Sequence, residues 1–195
     1  MSAVALDPAV RLIARGALSL LFVWAASHKL RDLAGFRSAL ANYELLPRRG
    51  IGLFAVLLPA VEIGVAAALL LPGSAANGAL AAAVLFALYA GAIFVNLVRG
   101  RRGIDCGCAG VAASRSLSGG LVVRNGVLII AALTSALPAT SRSLAWIDAV
   151  TIVAGVAAAA LLYAAADGLL ATAPQSAALA HDRIQTMTEH EATHA

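Results

Sequence analysis

Two cysteines separated by a single glycine, Cys106-Gly107-Cys108, are the residues of this chain best suited to covalent chemistry. Glycine permits the tight backbone that brings two thiols close enough to pair across so short a spacing. A ring that small is strained, and strained disulfides are the oxidising, exchangeable kind. Arg99, Arg101 and Arg102 favour thiolate over thiol nearby, while Asp105 opposes them. The pair therefore reads as a dithiol/disulfide couple. Two other readings stay open: two small side chains packed in a glycine-rich loop, or half of a metal site. A second Cys or His pair at ligand spacing is missing, so no metal is expected.

A second group of residues stands out because it is polar where its neighbours are not. Glu62 lies inside an apolar run, about 15 Å below its start at the helical rise of about 1.5 Å per residue. Arg124 sits about two turns deep in another apolar run, and its long side chain is expected to meet Glu62. An ionisable group at membrane depth is a functional candidate by default, and a buried structural ion pair is the plain alternative. His28, Lys29 and Asn96 close two further apolar runs at the same end, so the supporting polar site is expected to comprise Glu62, Arg124, His28, Lys29 and Asn96. His190-Glu191-Ala192-Thr193-His194 matches the spacing of zinc proteases. It is rejected as a site, because the motif needs a packed helix and a third ligand, and this one lies in a polar tail.

The elements that must hold these residues follow from composition. Of 195 residues 61% are hydrophobic and only 12% charged, with mean hydropathy +0.88. A soluble domain carries about twice that charged share, and a disordered chain far less apolar surface. The chain is expected to be a single domain embedded in a membrane. A net charge of +4 fits loops facing anionic lipid, and no basic stretch is interleaved with aromatics, so nucleic acid is not expected.

Five runs are long enough to cross a bilayer: residues 9–27, 51–71, 75–98, 117–137 and 149–166. Arg11 and Arg15 fall in the first turns of the first run, where their stems can snorkel to the interface. The first run also imitates a signal peptide, but Trp24 stands where a small residue would be wanted. Between the first two runs Leu33, Phe36, Leu40 and Tyr43 recur at helical spacing, with Asp32 as N-cap and Pro47 as stop. This amphipathic helix is too charged to span, and is expected in the interface plane or capping the bundle. No repeat is evident. The expected fold is thus an all-α, polytopic membrane bundle over residues 1–173, with a loose polar tail over 174–195.

Nine basic residues lie in or beside the first and third connections, against Arg11, Arg15 and Arg142 on the opposite face. The positive-inside rule then places both connections, and the cysteine loop with them, in the cytoplasm.

The order of features resembles a known family. Trp24-Ala-Ala-Ser-His-Lys-Leu-Arg-Asp-Leu33, Tyr43-Glu-Leu-Leu-Pro47, Leu58-Pro-Ala-Val-Glu-Ile-Gly64, Arg99-Gly-Arg101 and Asp105-Cys-Gly-Cys-Ala-Gly110 occur in that sequence. Together they are similar to the MauE family of methylamine utilisation, itself similar to the DoxX-like membrane proteins, over about residues 9–170. The resemblance implies a four-helix DoxX-like core plus one helix, in the inner (plasma) membrane. It implies an accessory role in maturation, processing or export of the small subunit of methylamine dehydrogenase, or of a similar exported redox enzyme. That subunit carries a tryptophan-derived quinone cofactor and many disulfides, and a thioredoxin-like MauD-type protein is the implied partner. By the resemblance Cys106 and Cys108 are the redox pair, with Glu62, His28 and Lys29 at family-matching polar positions. The residues require no cofactor outright, and a quinone is the one that the redox reading leaves room for. An exported client would want the cysteines outside, against the charge count. The competing reading is a small transporter built on Glu62 and Arg124, or an assembly scaffold, with structural cysteines.

Overall fold

The computed structural model describes residues 5–101 and 117–193, with side chains described as far as residue 170. Regular structure in these residues is helical: α1 (Pro8–Arg31), α2 (Leu33–Tyr43), α3 (Ile51–Leu70), α4 (Ala75–Val98), α5 (Gly119–Ala136) and α6 (Trp146–Thr193). Five stretches are long and apolar enough to cross a membrane: Pro8–Arg31, Arg48–Leu70, Ala75–Val98, Gly119–Ala136 and Trp146–Leu170. The chain is therefore a polytopic helical membrane protein, as its composition demands. It divides into two units, 1–161 and 162–195, the second being the C-terminal part of α6. The backbone of α6 is helical through Pro174 to Thr193.

Local chemistry sets the helix ends. The Asp7 carboxylate accepts from the Ala9 N–H at 2.8 Å and Pro8 opens α1, where the N–H that proline lacks would have had no helical partner. Asp32 closes α1 and opens α2, accepting from the Gly35 N–H at 2.9 Å. Glu44 then takes a left-handed backbone, φ 48°, and Pro47 begins the 3-10 turn that leads into α3. The predicted amphipathic helix is α2, which buries Phe36 and Ala39 and packs chiefly on α3.

Inside the bundle small residues replace the large ones of a soluble core. Ala55, Ala79, Ala82 and Ala132 have no exposed surface, while Leu53, Val84, Leu88 and Val123 point outward. Lipid solvates leucine well, so burying it gains little. Close backbone approach and its dispersion contacts hold such helices together. At Gly78 a β-carbon would lie 2.7 Å from backbone atoms of Ala68 and Leu69, which fixes the α3–α4 crossing. A β-carbon at Gly155 of α6 would lie 2.6 Å from the Ile13 side chain of α1. Leu18, Phe22, Val65, Leu69 and Phe86 fill what remains, with Phe22 and Phe86 stacked at 4.8 Å.

Arg15 departs from the snorkelling expectation. It is 7% exposed, and its Nε and Nη2 donate to the Ser135 carbonyl at 3.1 and 2.9 Å. The last carbonyls of α5 lack partners within their own helix, and the guanidinium supplies donors across the bundle.

Candidate functional site

Glu62 is 0% exposed, just past the middle of α3. Its Oε1 accepts from the Lys29 ammonium of α1, with which it forms an ion pair, and from the Tyr89 hydroxyl of α4 at 2.7 Å. Lys29 is itself buried, at 5% exposed, and donates further to the Tyr89 hydroxyl at 3.3 Å. Its Nζ lies 4.9 Å from the centroid of the Tyr89 ring and 5.4 Å from that of Phe36 on α2. Four helices thus converge on one charged pair, and aromatic faces with their negative quadrupoles shelter the ammonium. Glu62 Oε2 finds no donor among the described residues.

The pairing differs from the one expected. The cation at Glu62 is Lys29, not Arg124, because α1 and α3 pack side by side and the four-carbon stem of Lys29 reaches the carboxylate. Arg124 is half-buried on α5 beside Asn125, whose Nδ2 donates to the Leu121 carbonyl at 2.8 Å. Asn96, 0% exposed, donates from Nδ2 to the Ala92 carbonyl at 3.0 Å, and its Oδ1 has no donor among the described residues. His28 does not join the cluster: its ring packs edge-on against the exposed Trp24, 4.8 Å between centroids.

Sequence reasoning missed Tyr89 and the role of Phe36. The signal was present. Tyr89 precedes Asn96 by seven residues, two helical turns, so both occupy one face of α4.

Cys106 and Cys108 lie outside the described residues. Both flanks of their segment are placed, and at the same end of the bundle. Arg101 forms an ion pair with Glu44 at the end of α2 and donates from Nη1 to the Asn42 carbonyl at 3.4 Å. The hydrogen bond from the Arg101 guanidinium to the Glu44 carboxylate, with the charges of Arg101, Arg99 and Arg48, holds the Glu44 carboxyl below its usual range. On the other flank Leu117, 2% exposed, packs with Ile93 and Leu121 against Tyr43 and Leu97. The third connection therefore leaves and re-enters beside the first.

The opposite end carries a second charged cluster. Arg142 donates to Asp7 at 3.0 and 3.1 Å and to Asp148 at 2.9 Å through two further hydrogen bonds. Leu6 bridges to the same connection, its N–H donating to Pro138 and its carbonyl accepting from Thr140, each at 2.9 Å. Hydrogen bonds from Arg142 first, then from the Ala9 N–H, hold the Asp7 carboxyl below its usual range, and the two carboxylates raise Arg142.

The family described as "Methylamine utilisation protein MauE" matches residues 7–138, a range that contains both cysteines, Lys29, Glu62, Tyr89, Asn96 and Arg124. The chain belongs to the MauE family. A MauE of Methylophilus methylotrophus is 37% identical over 163 residues, covering 83% of this chain and 86% of that protein. One from Paracoccus denitrificans is 39% identical over 163 residues, covering 83% and 87%. No solved structure matches the chain. The MauE match ends in the connection after α5, so the whole polar cluster falls within it and α6 lies beyond.

Proposed function

We propose that this protein is a multi-pass membrane accessory factor of methylamine utilisation. It supports maturation, processing or export of the methylamine dehydrogenase small subunit or a similar exported redox enzyme, through thiol-disulfide exchange at Cys106 and Cys108. The observation that carries this reading is membership of the MauE family across the helices that frame Asp105-Cys106-Gly107-Cys108. Relatives over most of the chain are named for methylamine utilisation.

In the exchange, a thiolate of a thioredoxin-like partner attacks one sulfur of the Cys106–Cys108 disulfide. A mixed disulfide forms and the other cysteine leaves as thiolate. The partner's second thiol attacks the mixed disulfide, which leaves the partner oxidised and this pair reduced. Restoring the disulfide removes two electrons and two protons, for which a membrane quinone is the acceptor class. Exchange also runs in reverse: with one of the two cysteines changed to Ala, the thiolate of the other attacks the partner's disulfide, the partner's leaving cysteine departs as thiolate, and with no second cysteine here to resolve it the mixed disulfide accumulates. The adduct is visible on a non-reducing gel and lost with reductant. The double Cys106→Ala, Cys108→Ala protein inserts normally and fails to support its client. Full activity of that double variant in cells would overturn the redox reading.

A transporter or binding reading would then take its place. It is favoured by one observation, the buried Lys29–Glu62–Tyr89 cluster, with Lys29 rather than Arg124 as the cation.

A further inference from the structure

The Glu62 carboxylate is half satisfied. A carboxylate offers about four lone-pair directions over its two oxygens. Here Oε1 takes the Lys29 ammonium and the Tyr89 hydroxyl, while Oε2, on a residue with no exposed surface, has no donor among the described residues. A buried polar atom left without a partner costs free energy, and more so where water is scarce. A second acceptor, Asn96 Oδ1, is in the same condition on the face of α4 that carries Tyr89.

The charge around the carboxylate restricts what completes it. Lys29 already neutralises Glu62. A cation at Oε2 would leave net positive charge in a low-dielectric interior, and an anion would meet the carboxylate directly. The remaining donor is neutral. An amide or amine would satisfy the same oxygen less well than a hydroxyl, whose O–H···O⁻ bonds to carboxylates are short and strong. The rings of Tyr89 and Phe36, with centroids 4.9 and 5.4 Å from Lys29 Nζ, make the surroundings of the pair aromatic as well as charged.

We infer that Glu62 Oε2 is the acceptor of a ligand site for a neutral hydroxyl donor, supplied either by a bound water or by the hydroxyl of a lipid-soluble phenol or hydroquinone. The site uses Lys29 and Tyr89 to fix the carboxylate and leaves its second oxygen to the ligand. It does not depend on the cysteine chemistry, and its test reads hydrogen bonding at one oxygen rather than client maturation.

The full-length protein in lipid nanodiscs is labelled with carboxyl-13C glutamate. Glu44, Glu189 and Glu191 are changed to Gln so that Glu62 alone reports in the infrared. Trimethylhydroquinone and its dimethyl ether serve as probes. A hydroquinone site shifts the Glu62 carboxylate band with the hydroquinone and not with the ether, and the melting temperature rises with the first probe alone. The paired variant Lys29→Met with Glu62→Leu, which removes both charges together, then loses at least tenfold in apparent affinity. A water site leaves the band unmoved by either probe and places solvent density within hydrogen-bond distance of Glu62 Oε2 in a crystal structure of the unaltered protein. A band indifferent to both probes, with no solvent density at Oε2, overturns the inference, as does equal stabilisation by the ether or undiminished binding by the paired variant. The crystallographic measurement needs no change at Lys29 or Glu62, so it decides even if the paired variant does not fold.

Discussion

The protein has two carboxylate–cation clusters, one inside the bundle and one at its rim, and they are built from the same chemistry to different ends. At the rim Arg142 grips two aspartates with four hydrogen bonds, and its side chain and that of Asp7 are each 42% exposed. Inside, one lysine and one tyrosine serve one glutamate that solvent does not reach. The rim cluster is nearly saturated, holds the N-terminal segment to the start of α6, and is screened by water. Among the described residues the interior cluster leaves Glu62 Oε2 without a donor. Its ions have lost their hydration, and their mutual attraction offsets that loss only in part. An apolar pair of similar volume would serve stability as well or better. A buried ion pair that stability does not require, with an acceptor that no described residue satisfies, is the arrangement on which the ligand site proposed above rests.

The largest expected effect tests that contrast. Lys29→Met leaves the Glu62 charge unpaired in the interior and should destabilise the protein by about 3–5 kcal/mol. Adding Glu62→Leu should recover most of the loss. Thermal unfolding in detergent or folded yield measures both. If the double variant is as unstable as the single one, the residues are not energetic partners and the comparison fails.

Tyr89→Phe should have an intermediate effect. It removes the 2.7 Å hydrogen bond to a charged acceptor and keeps the ring over Lys29. A loss of about 1.5–3 kcal/mol is expected in the same unfolding measurement. No change would mean that the hydroxyl merely sits beside Oε1.

The smallest effect belongs to the rim. The Asp7 carboxyl is depressed in the folded protein, so its stabilisation is complete above about pH 4 and disappears as pH falls through the folded value. At neutral pH stability should therefore be flat with pH on account of this group. Arg142→Gln should return the Asp7 carboxyl toward its ordinary value, read by carboxyl-carbon NMR titration, with little change in melting temperature at neutral pH. A large loss of stability would mean that the clasp holds the helices together rather than only their ends.

The helices were legible because the bilayer leaves few choices. Every backbone polar group in lipid must be satisfied within its own segment, so apolar runs of this length become helices whatever their neighbours do. Asp7 and Asp32 cap them by local bonds, and the α2 periodicity reads directly as a buried Phe36. The site was legible as a set of positions and not as contacts. Glu62, Lys29 and Asn96 announce themselves as polar residues in apolar surroundings. Tyr89 passes for one more aromatic in a span.

Sequence alone determined the number and length of the spans, the place of the amphipathic helix, the MauE resemblance and the candidate residues. These depend on composition, on spacing along one chain and on bonds between near neighbours. Tertiary structure decided that Lys29 rather than Arg124 meets Glu62, that Arg15 turns inward to the Ser135 carbonyl, and that Tyr89 completes the cluster. Each choice depends on which helix lies beside which. That is set by close approaches such as Gly78 against the α3 backbone, between residues that the sequence lists without saying that they touch.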